Sequence, residues 1–144
     1  MRRDGLVAGH EPISIGLWIG GGENSSPNSI REARIQLTEL LEEKYPRNRF
    51  MVERCPWCGA KIIPNKIKPN RNLYGIQIVS EELRLSCVEG SCAFHSGLPV
   101  QVVDECMYAK PPTILLGTID KFARLPWLGV ARSMFGFRGE GADD

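Results

Sequence analysis

Thr113-Ile114-Leu115-Leu116-Gly117-Thr118-Ile119-Asp120-Lys121-Phe122-Ala123 runs from an apolar, β-prone stretch through Gly-Thr into residues that suit a helix. A strand that feeds straight into a helix is a building unit of α/β sheets. The pattern predicts a short strand over 113–116 and a short helix over 119–125, stopped by Pro126. The N–H groups at a helix start have no partner inside the helix. With a hydroxyl and a nearby ammonium they make a corner suited to phosphate. By spacing alone, Thr118 serves equally well as an N-cap.

Upstream, Leu98 to Val103 reads as a near-continuous apolar strand. At the other end of the chain, Pro12 to Ile19 reads as a strand too. Ile13, Ile15, Leu17 and Ile19 alternate with smaller residues, although Trp18 breaks the polar face. Gly20-Gly21-Gly22 and a polar loop follow. Ser29 then reads as an N-cap, with Glu32 completing a capping box. Ile30, Ala33, Leu37, Leu40 and Leu41 recur at helical spacing to about Lys44, and Pro46 ends the helix. The chain is therefore expected to be α/β over 1–48 and again over 97–136. The Gly-rich end, 137–144, is expected to be a flexible tail.

The segment 49–96 has another character. It holds four cysteines, many turn residues and two short apolar runs, Tyr74–Val79 and Leu83–Cys87, that suit a hairpin. A lobe this small needs a staple. Cys55-Pro56-Trp57-Cys58-Gly59 is a C-x2-C-G knuckle, and Cys87-Val88-Glu89-Gly90-Ser91-Cys92 supplies a second pair, so the whole reads C-x2-C-x28-C-x4-C. Two residues between ligands let both thiolates reach one ion, and the glycine permits the tight turn beside them. Four thiolates suit structural zinc, here on Cys55, Cys58, Cys87 and Cys92. His95 is an alternative to Cys92. A redox C-x-x-C lacks its thioredoxin-like setting, and a rubredoxin-like iron site lacks its second knuckle. Cys106 reads as a small hydrophobe, and His10 is isolated. Lys61, Lys66, Lys68 and Arg71 lie on a Pro- and Asn-rich arm with no acidic residue between Ala60 and Ser80. Such an arm can lie along a phosphate backbone or stand as a solvated loop.

Composition bounds these readings. In 144 residues, Lys+Arg 18 against Asp+Glu 17 leaves +1, so a strongly basic nucleic-acid binder and an acidic tail protein are both excluded. The hydrophobic fraction of 42% supports a core rather than disorder. No apolar run is long enough for a bilayer, and no leader sequence is evident, so no membrane and a cytoplasmic location are expected. Five cysteines without an export signal point to a metal site plus one thiol rather than to disulfides. Val102-Val103-Asp104-Glu105 imitates the strand that holds Mg2+ in P-loop NTPases. No Gly-Lys-Ser, Gly-Lys-Thr or Asp-Glu-x-His occurs in the chain, so the two carboxylates are read as capping a strand end.

Several strings together resemble a known family. They are Ile13 to Gly20 followed by Ser26-Pro27-Asn28, the Cys55–Gly59 knuckle, Leu98-Pro99-Val100, Val102 to Glu105, and Pro112 to Leu125 with its Gly-Thr-x-Asp-Lys-Phe-Ala core. In this order they resemble the DrmA family, the helicase-like proteins of bacterial DISARM anti-phage systems, from about Ile13 to Gly136. The resemblance implies an internal fragment of a superfamily 2 helicase motor, with a RecA-like domain interrupted by the zinc-ribbon-like lobe. It implies DNA and other proteins of the defence system as partners, with ATP and Mg2+ bound only in the intact parent. It also implies that the Gly117-Thr118 corner grips the DNA backbone through Thr118 and Lys121, with Asp120 orienting Lys121 or capping the helix. The other reading is a stand-alone zinc module that binds nucleic acid or protein without catalysis.

Overall fold

The computed structural model describes residues 12–22 and 24–136, so His10 and the expected tail 137–144 lie outside the described residues. Strand β1 (Ile15–Trp18) is the centre of a three-stranded parallel sheet in the order β4-β1-β5, with β4 at Val100–Gln101 and β5 at Ile114–Gly117. Ile15 pairs with both Val100 and Ile114, and Trp18 pairs with Gly117. A central parallel strand is covered on both faces. Trp18 therefore does not break a solvent face; it is 0% exposed and anchors a small core with Met107 and Ala131. Its ring meets Phe122 and Tyr108 edge-on, at 5.5 and 6.4 Å between centroids. On the same strand Gly16 has no room for a side chain, because a Cβ there would lie 2.6 Å from Pro112 Cγ and 2.7 Å from Met107 Sδ.

Helix α1 (Ile30–Glu42) starts where the capping pattern places it, and the Ser29 hydroxyl accepts the Glu32 N–H at 3.2 Å. The Glu32 carboxylate returns to the N–H of Asn28 at 2.8 Å, one residue before the position a reciprocal box predicts. Ala33, Leu37 and Leu40 form the buried stripe of α1. They share one core with Phe50, Ile62, Tyr74, Ile76 and Leu85 of the cysteine segment and with Leu98, Val102 and Val103. The expected hairpin is present as β2 (Ile76–Val79) and β3 (Glu82–Leu85), antiparallel, with Ser80 and Glu81 at positive φ in its turn.

The expected strand over 98–103 is corrected to two residues. After Gln101 the chain leaves the sheet, and Asp104–Ala109 forms a helix, α2, that the sequence reading lacks. Its cap residue Val103 offers no side-chain bond. The caps come from elsewhere: the N–H groups of Asp104 and Glu105 reach the carbonyls of Pro27 and Asn28 at 2.9 and 3.1 Å. In return the Glu105 carboxylate accepts the N–H of Ile30, the first residue of α1, at 2.8 Å. Helix α3 (Ile119–Ala123) follows β5 as expected. It gives way to 3-10 turns over Leu125–Trp127 and Gly129–Phe135.

Candidate metal centre

The cysteine pairs arrive from two tight turns. Gly59, at φ +76°, lets its own N–H reach back to the Cys55 carbonyl at 2.9 Å and closes the knuckle. The second pair follows the β2–β3 hairpin, where Cys92 N–H bonds Glu89 O at 3.0 Å. The four sulfurs of Cys55, Cys58, Cys87 and Cys92 all lie within 4.8 Å of one another. Cys55 and Cys92 sulfurs are 3.7 Å apart, and Cys58 and Cys87 sulfurs 3.4 Å. A tetrahedral ion with metal–sulfur bonds of about 2.3 Å needs sulfurs about 3.8 Å apart. These four thiols can therefore hold one metal ion.

The local field already differs from thiol to thiol. Burial raises the Cys55 thiol, but the N–H groups of Cys58 and Trp57 outweigh it and bring the group down to about 7. Burial pushes Cys87 up to about 12, against the N–H of Glu89, which reaches its sulfur at 3.4 Å. His95 is not among the grouped ligands; its Nδ1 is 2.8 Å from the Cys87 carbonyl. The sulfur of Cys92, not the imidazole, completes the cluster, and His95 holds the turn that carries Cys87. Cys106 stands outside the cluster, half-buried, with burial pushing its thiol up.

The Gly-Thr corner differs from its expected form. Thr118 Oγ1 accepts the N–H of Gly20 at 2.8 Å, which ties β5 to the glycine turn after β1. Thr118 also hydrogen-bonds the exposed Asp120 carboxylate and holds it below its usual range. Lys121, expected on the phosphate, is corrected to an inward position. It is 6% exposed, its ammonium pairs with the buried Asp104 carboxylate, and it lies 5.8 Å from the Trp18 ring centroid. An ammonium neutralised inside the core has nothing to offer a phosphate, and the residue that faces outward at this corner is acidic. The two carboxylates of Val102–Glu105 thus have separate roles, Asp104 in this ion pair and Glu105 on the first turn of α1.

The basic arm does face outward. Lys61, Lys66, Lys68 and Arg71 are all exposed. Lys61 Nζ rests 2.5 Å from Asn65 Oδ1, and Arg71 reaches the Leu41 carbonyl at 3.4 Å. The Lys68 N–H bonds the Tyr74 hydroxyl at 3.0 Å and the Ile67 N–H bonds the Lys44 carbonyl at 2.9 Å, so the backbone of the arm is held on both sides. The sequence reading missed the Asp104–Lys121 pair. Asp104 and Lys121 lie 17 positions apart, and only the parallel sheet brings them together. Among the described residues, no helix is long and apolar enough to cross a membrane.

No protein-family model matches the chain. Over 134 residues, covering 89% of this chain, it is 32% identical to the DISARM protein DrmA of Bacillus paralicheniformis. The chain spans 11% of that relative's length.

Proposed function

We propose that the chain acts as part of an ATP-dependent DNA helicase or translocase of an anti-phage defence system, supplying a structural zinc lobe and a contact to the DNA backbone. The observation that carries this reading is the 32% identity to DrmA over most of the chain. Three structural features support it. The four-cysteine cluster has the donor set and spacing of a closed zinc site. A parallel sheet is the kind of core a RecA-like domain uses. Ile114 and Leu116 on β5 are 46% and 53% exposed in a sheet type normally covered on both faces, which suits a place inside a larger body. In this reading ATP and Mg2+ belong to the parent protein, and other proteins of the same defence system are its partners.

The backbone contact is assigned to Lys61, Lys66, Lys68 and Arg71, because the Gly-Thr corner turns its lysine inward. Such contacts read charge rather than sequence. Anisotropy of a labelled DNA with the zinc-loaded chain tests this. Replacing the four cations by Gln should weaken binding at least tenfold near 50 mM salt and flatten its salt dependence, since each phosphate contact contributes about 0.7–0.9 to the log–log slope. Unchanged affinity and slope would contradict the assignment.

A second reading, a zinc module that binds without turnover, draws on the shared core. The cysteine segment packs against α1 within this chain rather than on a distant element. Substituting the chain for the matching segment of the Bacillus protein separates the two: retained phage protection supports the motor reading, and its loss with intact expression and zinc content supports the module.

A further inference from the structure

Trp57 sits between the first two cysteines and is 72% exposed. An indole turned to water at the tip of a turn is not there for the core. The ring is nevertheless held, because Phe94 packs against it at 6.2 Å between centroids with the planes 79° apart. In an edge-to-face pair, either the Trp57 edge meets the Phe94 face or the reverse. In both cases at least one face of the indole stays open.

Two cations share the knuckle with this ring. Arg54 and Lys61 form an antiparallel bridge across the base of the knuckle, and both are exposed. The Arg54 guanidinium bonds the Gly59 carbonyl at 3.0 Å, which fixes it two residues from Trp57. From Arg54 to Ser80 the sequence has five cations and no carboxylate. Over Arg54–Cys92, which holds all four cysteines, six cations stand against three carboxylates, Glu81, Glu82 and Glu89, and a loaded tetrathiolate zinc site, formally −2, leaves +1. A rigid, open aromatic face beside fixed cations matches an unpaired nucleobase with its phosphates. A protein partner of acidic and apolar character fits less well, because the most exposed apolar group on the knuckle is an aromatic ring, Trp57, held edge-to-face by Phe94.

We infer that Trp57, flanked by Arg54 and Lys61 on the zinc knuckle, is a stacking platform for an unpaired base of single-stranded DNA. The inference rests on the proposed DNA contact and adds a chemical preference to it: the lobe distinguishes unpaired from paired strands. In a duplex the base faces are already stacked, and Trp57 has nothing to receive.

The test uses the zinc-loaded chain with fluorescein-labelled (dT)12 and a duplex of equal length. Trp57→Ala should weaken (dT)12 binding about tenfold, in line with the usual worth of a base–aromatic stack, and leave duplex binding within about twofold. Trp57→Phe should retain most of the (dT)12 affinity, whereas Trp57→Leu, apolar but unable to stack, should lose it. Equal zinc content in all variants shows that the knuckle is intact. If Trp57→Ala binds (dT)12 as the parent does, or if duplex and single strand weaken alike, the platform is overturned while the backbone contact stands. If the parent chain binds neither DNA, both the platform and the backbone contact are overturned.

Discussion

Asp104 and Lys121 place opposite charges where water does not reach, at 2% and 6% exposure. Burying two charges costs several kcal/mol each, and only close pairing offsets it. The pair links α2 to α3 beneath Trp18, so its role is to hold two elements in one arrangement. Lys121→Met should therefore destabilise the chain by about 3–5 kcal/mol, because it leaves a buried carboxylate without its cation. Thermal unfolding checks this, and joint Asp104→Leu/Lys121→Met should recover much of the loss. If Lys121→Met keeps full stability but abolishes DNA binding, the lysine faces the phosphate after all. The carboxyl itself carries a pH signature. Burial raises Asp104 above its ordinary 3.8, against the hydrogen bond and charge of Lys121. A group raised in the folded state adds stability that is complete below the unfolded value and lost as pH rises through the folded one. Asp104→Asn should remove that component from a stability–pH curve taken across the acid range.

At the scale of elements, legibility follows where each element finds its caps and its cover. Helix α1 was readable to within two residues because its signals are local: Ser29, Glu32 and a stripe at helical spacing. Ser29→Ala should cost about 1 kcal/mol in chemical denaturation, as loss of an N-cap bond does, and a change below about 0.3 kcal/mol would show that Asn28 and Glu105 hold the helix start without it. The hairpin and the knuckle were readable because turns and paired cysteines are also local. Helix α2 was not. Its first N–H groups are satisfied by Pro27 and Asn28, some 77 positions earlier, and nothing near Val103 announces a cap. The sequence therefore looked like a strand running on to Val103. The inward turn of Lys121 was hidden for the same reason, since its partner lies on α2. Trp57 was visible as part of the knuckle, but its exposure could be seen only once Phe94 was placed beside it.

At the scale of the molecule, two cores meet at β1. One lies under Trp18, and the other joins α1, the hairpin and the cysteine segment. Cys55 and Cys87 belong to the larger core, so the metal site is continuous with the packing rather than appended to it. Zinc contributes roughly 10–16 kcal/mol at pH 7 in finger peptides, as much as the whole stability of an ordinary domain at about 5–15 kcal/mol. Loss of the ion should then loosen the core that α1 and the hairpin share, and not only the knuckle. The direct measurement is metal analysis of the purified chain, joined to thermal unfolding before and after chelation and in Cys87→Ser. The expected result is close to one zinc per chain without visible absorbance, and a large fall in melting temperature when the ion or Cys87 is removed. A chain that carries no metal and melts at the same temperature with or without chelator would contradict the account, as would a red chain with iron and charge-transfer bands.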